Sequence, residues 1–169
     1  MEDSTPLPAE DYVAFPVRSG EQDWLVTWYP ADDEPEGQCH GAAGICLTAD
    51  NKIVLITQDG TSWGLPGGRP EDGENWEDTM RREVKEEACV EVDKARLLGF
   101  SHGLCSRGHE EGLLLIRSLW LADAILLEWA PEPQILGRNL VPVDQVLARM
   151  APDPFAPLHA RALLVADLL

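Results

Sequence analysis

The stretch GGRPEDGENWEDTMRREVKEEACV, residues 67–90, sets two adjacent glycines ahead of a segment crowded with carboxylates. A helix is expected from Asn75, a good N-cap, with Asp78 three residues on where a capping-box partner belongs. The pairs Glu77/Arg81 and Asp78/Arg82 support it at i,i+4, and it should end near Ala88. At roughly 100° per residue, Glu83, Glu86 and Glu87 share one face within an arc of about 100°. Met80, Val84 and Ala88 form an apolar stripe beside them, while Arg81 and Lys85 point the other way. Like charges at this spacing repel by a few tenths of a kcal/mol when exposed, and by more beside a core. A charge run is ordinarily a solvated face. One that borders the core calls for a positive counterpart, and hard divalent cations take oxygen ligands.

The surrounding spacing sharpens that reading. Gly68 is followed after five residues by Glu74, after seven more by Arg82-Glu83, after two more by Glu86-Glu87, and then by Cys89 and Val90. This resembles the signature of the Nudix (MutT-like) hydrolases, and WGLPGG, residues 63–68, resembles that family's approach to its box. The resemblance covers roughly residues 41–150 and is specific over 63–90. One position departs: Cys89 stands where the signature ends in glycine. That glycine commonly closes the helix in the left-handed conformation, where a side chain costs about 1 kcal/mol.

The resemblance implies an α+β fold, an α/β/α sandwich with a mixed sheet between helices and the box as loop-helix-loop at its edge. It implies Mg²⁺ as cofactor, with Mn²⁺ able to substitute. The implied metal ligands are Glu83, Glu86 and Glu87 with the Gly67 carbonyl, and the implied catalytic set is Arg82, Glu83, Glu86 and Glu87. Arg82 would orient box carboxylates, while Gly68, Arg69 and Glu74 would serve substrate binding. The implied reaction cuts the phosphoanhydride of a nucleoside diphosphate linked to another group X, by attack of water on phosphorus.

Substrate signals are mostly absences. Family members acting on ADP-ribose tend to carry a proline about fifteen residues after the box, and dinucleoside polyphosphate enzymes a tyrosine. Here no proline lies between Pro70 and Pro131, and the tyrosines are Tyr12 and Tyr29. A nucleoside triphosphate or similar small nucleotide is favoured. ADP-ribose or another nucleotide sugar, and a non-catalytic nucleotide-binding module, are the alternatives. Trp24, Trp120 and Trp129 are candidates to stack on a base. Glu110, Glu111 and Glu132 are candidates for a further carboxylate. Arg117 reads either as a phosphate contact or as a salt-bridged sheet residue. His102, Cys105 and His109 match no common zinc spacing.

Composition agrees with this picture. The chain has 169 residues, 44% hydrophobic and 25% charged, and a net charge of −17. So acidic a surface repels nucleic-acid backbones and anionic membranes. The expected partner is therefore a small nucleotide diphosphate, with neither a nucleic-acid polymer nor a membrane, and a homodimer left open. With no leader visible at the N-terminus and no CxxC pair among four cysteines, a cytoplasmic setting is expected. Residues 1–10 read as a flexible tail and 11–169 as a single domain. Within it, 11–30 read as a hairpin, 101–112 as a loop between strands, and 157–169 as a C-terminal helix.

Overall fold

In a computed structural model the chain is described over residues 5–169. The N-terminal hairpin pairs β1, Phe15–Ser19, with β2, Gln22–Pro30. Gly20 and Glu21 between them both have φ near +60°, the primed turn whose twist matches paired strands. Next come β3, Gln38–Leu47, β4, Lys52–Thr57, and the two-residue β5, Gly67–Gly68. Helix α1, Trp76–Ala88, follows, then the long strands β6, Val90–Arg107, and β7, Leu114–Leu126. After β8, Gly137–Pro142, one short 3₁₀ turn leads to α2, Val146–Met150, and α3, Ala156–Val165.

The strands form one eight-stranded mixed sheet in the order β1-β2-β6-β7-β3-β4-β8, with β5 against β3. Strand β3 runs parallel to β7 and antiparallel to β4 and β5. The apolar run KIVLIT of β4 shows why both faces are covered. Ile53 and Leu55 join one core with Val26, Trp28, Leu119 and residues of α2 and α3. Val54 and Ile56 join the other with Met80, Val84 and Ala88 of α1. With side chains alternating across a strand, a continuous apolar sequence must be buried twice. The expected sandwich is the observed one.

Several expected boundaries shift. Strand β6 continues through His102, Cys105 and Arg107, so the expected 101–112 loop shrinks to the turn before β7. Within the expected tail, Ala9 is buried and its N–H donates to the Pro157 carbonyl at 2.9 Å, so the chain is tied down from there; residues 1–4 lie outside the described residues. The C-terminal helix runs Ala156–Val165 rather than to the end. Strand β8 lacked an apolar alternation, and it forms because β4 offers it six paired positions.

Candidate active site

Helix α1 begins as its sequence directs: the Asn75 side chain accepts from the Asp78 N–H at 2.8 Å. It ends at Cys89, which keeps the left-handed conformation at φ 54°, ψ 51°. Arg81 pairs with Glu77 at 3.0 Å and donates to the Val92 carbonyl at 2.7 Å, holding the back of the helix to β6. Arg82 turns away from Asp78 and becomes the hub of the carboxylate face. Its Nε donates to Glu74 at 2.7 Å and its Nη2 to the same carboxylate at 2.9 Å, a bidentate fork. Nη1 reaches Glu83 at 2.8 Å and Glu86 at 3.1 Å, and Nη2 also meets the Arg69 carbonyl at 2.9 Å. Glu74 is further held by the Thr79 hydroxyl and the Glu71 N–H. The Arg82 hydrogen bonds, foremost, hold its carboxyl down at about 2.

The two glycines sit where the chain approaches this face. Gly67 and Gly68 pair with Ala43 and Ala42 of β3, and the Gly67 N–H donates to Glu87 at 2.9 Å. A Cβ on Gly68 would lie 2.3 Å from the Glu83 carboxyl carbon, and one on Gly67 would lie 2.4 Å from the Ala42 carbonyl oxygen. Only glycine fits against the backbone at 67, and at 68 any side chain would displace the Glu83 carboxylate. Glu87 is buried and Glu83 and Glu86 are half-buried. Burial, then the charges of Glu83, Glu132 and Glu86, push the Glu87 carboxyl up to about 7 against the pull of the Gly67 N–H. Glu86 is also raised, first by burial, with Glu132 and Glu83 adding to it while Arg82 opposes. Of the three later glutamates considered as extra carboxylates, it is Glu132 that joins this face; its N–H donates to the Glu86 carbonyl at 3.2 Å.

Beside the glycines opens a cleft of about 420 Å³, continuous in its lining with a recess of about 290 Å³ that reaches Gly67 and Gly68. Sheet alternation builds its floor: Leu115, Arg117 and Leu119 of β7 line it, with Trp24 and Val26 of β2. Phe155 and His159, at the start of α3, cover it. His40, Arg69 and Arg117 line both the cleft and the recess. Burial, then Arg117 and Arg69, push the His40 imidazole down, and burial, then Arg69, push the Arg117 guanidinium down. Asp153 grips His159 Nδ1 at 2.5 Å; burial raises the Asp153 carboxyl, and the pairing with His159 outweighs it to leave the group below its usual range.

The structure thus brings Gly67, Gly68, Glu74, Arg82, Glu83, Glu86 and Glu87 together, with Arg69 at the edge toward the cleft. Of the three tryptophans, Trp24 lines the cleft. Trp120 is buried on the α1 side and donates to Ser118 at 2.9 Å, while Trp129 lies under Arg138. Arg117 lines the cleft and meets the Phe155 ring at 6.0 Å; the salt-bridged alternative does not hold. His102 packs on Tyr29, Cys105 contacts Gln22, and His109 lies by Glu110 on the turn after β6, so the three have separate partners. Glu110 is held at the cleft rim by Gln22 at 2.9 Å. Sequence reading missed His40, Phe155 and His159, whose single residues carry no spacing to flag them.

Glu83, Glu86, Glu87 and Glu132 offer oxygen donors alone, the chemistry a hard divalent cation takes. Their mutual repulsion and the cradle at Gly68 also fit such an ion. Among the described residues no three acidic, His or Cys side chains converge as a finished ligand set. Arg82 Nη1 stands between Glu83 and Glu86, so an incoming cation must displace it from one of them.

Comparison with known proteins accords with this geometry. A family model described as NUDIX domain matches residues 38–163. Nudix hydrolase 2 of Arabidopsis thaliana is 34% identical over 98 aligned residues, covering 51% of this chain and 35% of that protein. The chain thus spans about a third of the length of that curated relative. Among solved structures, a Bacillus subtilis pyrophosphohydrolase superposes with a TM-score of 0.69 at 20% identity, covering 92% of this chain and 96% of that one. A Nitrosomonas europaea NUDIX hydrolase gives a TM-score of 0.59 at 20% identity over 78% of this chain and 89% of its own. At that identity both show the fold, whose mixed sheet and helices match those described above. No helix among the described residues is long and apolar enough to cross a membrane. With the family model matching well over half of its length, the chain belongs to the Nudix family.

Proposed function

We propose that the chain hydrolyses the phosphoanhydride of a small nucleotide, with a nucleoside triphosphate as the favoured substrate and Mg²⁺ as the favoured ion. The observation that carries this reading is the meeting of the carboxylate face with a cationic, aromatic-walled cleft at Gly67 and Gly68. A cleft of about 420 Å³ suits a ligand of nucleotide size. Glu83, Glu86 and Glu87, with the Gly67 carbonyl, would hold the ion, and Glu132 is a further candidate. Bound there, it would offset phosphate charge and make water more acidic.

The chain's own residues do the rest. Arg82, anchored on Glu74, positions Glu83 and Glu86. Gly68 leaves the backbone bare where phosphates approach. A water attacks phosphorus and forms the new P–O bond, its proton passes to a glutamate of the helix face, and the bond to the leaving phosphate oxygen breaks. Trp24 and Phe155 line the cleft as aromatic candidates to pack on the base.

The test is turnover across nucleoside triphosphates, nucleotide sugars and dinucleotides with Mg²⁺ or Mn²⁺. Glu86→Gln should cut the rate by about 10²-fold or more at unchanged fold, the scale of a charged group serving the transition state. Binding of nucleotides without cleavage of any of them would favour the binding-module reading.

A further inference from the structure

Arg69 and Arg117 gather two positive groups at one wall of the cleft, with the His40 imidazole beside them, in a chain that carries 13 Lys and Arg against 30 Asp and Glu. Several cations of this protein find acids: Arg18 meets Asp23, Arg81 meets Glu77, Arg82 meets Glu74, and Arg161 meets Asp11; among the described residues Arg96 and Arg138 donate to backbone carbonyls instead. Among the described residues the Arg69 and Arg117 side chains have no acidic partner, and what sets them apart is that both line one recess at Gly67 and Gly68, near enough for Arg69 to act on Arg117. Arg117 instead stands over the Phe155 ring.

The backbone is shaped to keep this wall close to the box. Gly41 of β3 pairs with Arg117 of β7, and a Cβ on Gly41 would lie 3.8 Å from Arg117 Cγ and 3.1 Å from the Gly68 carbonyl oxygen. The bare residue therefore lets the Gly68 carbonyl lie close against β3, beside the Arg117 stem. Arg69 is fixed from the other side, since its carbonyl accepts from Arg82 Nη2. The register of β3 slips between Cys39 and Gly41, and His40 is the residue at that bulge. Such irregularities re-aim side chains beside sites.

From this arrangement we infer that Arg69, Arg117 and His40 form a phosphate subsite that works without metal, taking a phosphate next to those held at the carboxylate face. Two neighbouring guanidiniums suit a phosphate's oxygens, and a like-charged pair with no acidic partner gains from an anion. A substrate whose group X is itself a phosphate would fill the subsite. A nucleotide sugar would set a neutral hydroxylated ring against the two arginines. The inference rests on the proposed hydrolase reading for its substrate consequence, while the subsite itself can be measured apart from catalysis.

The decisive measurement is calorimetric titration of the full chain with inorganic pyrophosphate in EDTA. One-to-one binding is expected, weakened at least tenfold in Arg117→Gln and in Arg69→Gln, with Arg117→Lys recovering part of the loss. The absence of binding, or binding indifferent to both Gln variants, overturns the subsite. Should Arg117→Gln fail to fold, Arg69→Gln decides, because Arg69 lies in the loop after β5 and not within a central strand. In the second arm, kcat/KM is compared for a nucleoside triphosphate and a nucleotide sugar of the same base. Arg117→Gln should lower the ratio of the two at least tenfold, and an equal loss on both overturns the selectivity. If neither substrate is cut by the wild type, the hydrolase reading fails and the titration alone decides the subsite.

Discussion

Replacing Glu87 by Gln should stabilise the metal-free protein at alkaline pH even as it impairs turnover. Glu87 is 7% exposed, and burial together with three neighbouring carboxylates lifts its carboxyl from an ordinary 4.5 to about 7. A raised acid pKa means that the folded state holds the proton more tightly than the unfolded chain. Its contribution is harmless below about pH 4.5 and turns destabilising as pH rises to about 7. Full ionisation would cost about 3 kcal/mol by linkage. Solvent and Arg82 screen the partly exposed neighbours, so about 1–2 kcal/mol is the expected size. Gln keeps the volume and an oxygen for the Gly67 N–H. Urea unfolding in EDTA at pH 5 and 8.5 reads the effect as a midpoint change at constant slope. The gap between variant and wild type should widen in favour of the variant by about 1 kcal/mol or more across that range. Saturating Mg²⁺ should then reverse the order, since ligand at a hundred times its Kd adds about 2.7 kcal/mol to the form that binds it. A variant that gains nothing between pH 5 and 8.5 without metal would falsify the claim that these carboxylates are held together against their own repulsion.

The glycine pair should separate stability from activity. Gly67→Ala meets backbone at Ala42 and Ala43 and should lower stability by about 1–3 kcal/mol in urea unfolding. Gly68→Ala meets only the movable end of Glu83, so its stability should stay within about 1 kcal/mol while turnover drops tenfold or more. Cys89→Gly relieves the left-handed strain but removes a buried side chain whose sulfur accepts the Ala130 N–H at 3.3 Å. Strain of about 1 kcal/mol set against a lost methylene, a lost sulfur and an unpaired N–H gives net destabilisation of about 1 kcal/mol; a more stable variant in chemical denaturation would show the strain dominates. Glu74, held at about 2 by Arg82, contributes stability above its unfolded pKa that is lost as pH falls from about 4.5 toward 2. The gap between wild type and Glu74→Gln in thermal melts should therefore close over that window.

On the left-handed turn alone Cys89→Gly would be stabilising, and the structure adds a contact that argues the other way. The missing glycine announces the left-handed turn, and φ at 89 bears that out. What no local pattern can announce is Ala130, 41 residues away, whose N–H comes to the sulfur. The same division runs through the whole chain. Helix α1 was legible because its cap, its apolar stripe and its glutamates are local in sequence. The box roles were legible through resemblance, because spacing within one loop and helix fixes them. Strand β8 was not, since Gly137, Arg138, Asn139 and Pro142 carry no strand pattern and rely on β4 for their pairing. The end of β6 was misread for a related reason: Ser101 and Gly103 face the cleft, where a strand needs no large apolar side chain.

The cleft was the least legible feature, because many separate regions build it. Trp24 comes from the hairpin, His40 from β3, Arg69 from the box, Arg117 from β7, and Phe155 with His159 from the entry to α3. Each alone has a commoner explanation, and Arg117 in particular reads naturally as a sheet residue with an acidic partner. Its identity as a cleft residue follows only from register: pairing with Gly41 sets its stem beside the β3 glycine that lies against Gly68. A shift of that pairing by one residue would send Arg117 to the opposite face, into the core that Met80 and Val84 fill. The small residues of GAAG, residues 41–44, thus do two jobs that local sequence reading conflates. At Gly44 they admit Val84 and Met80 of α1, and at Gly41 they let the box glycine Gly68 close on β3 beside Arg117.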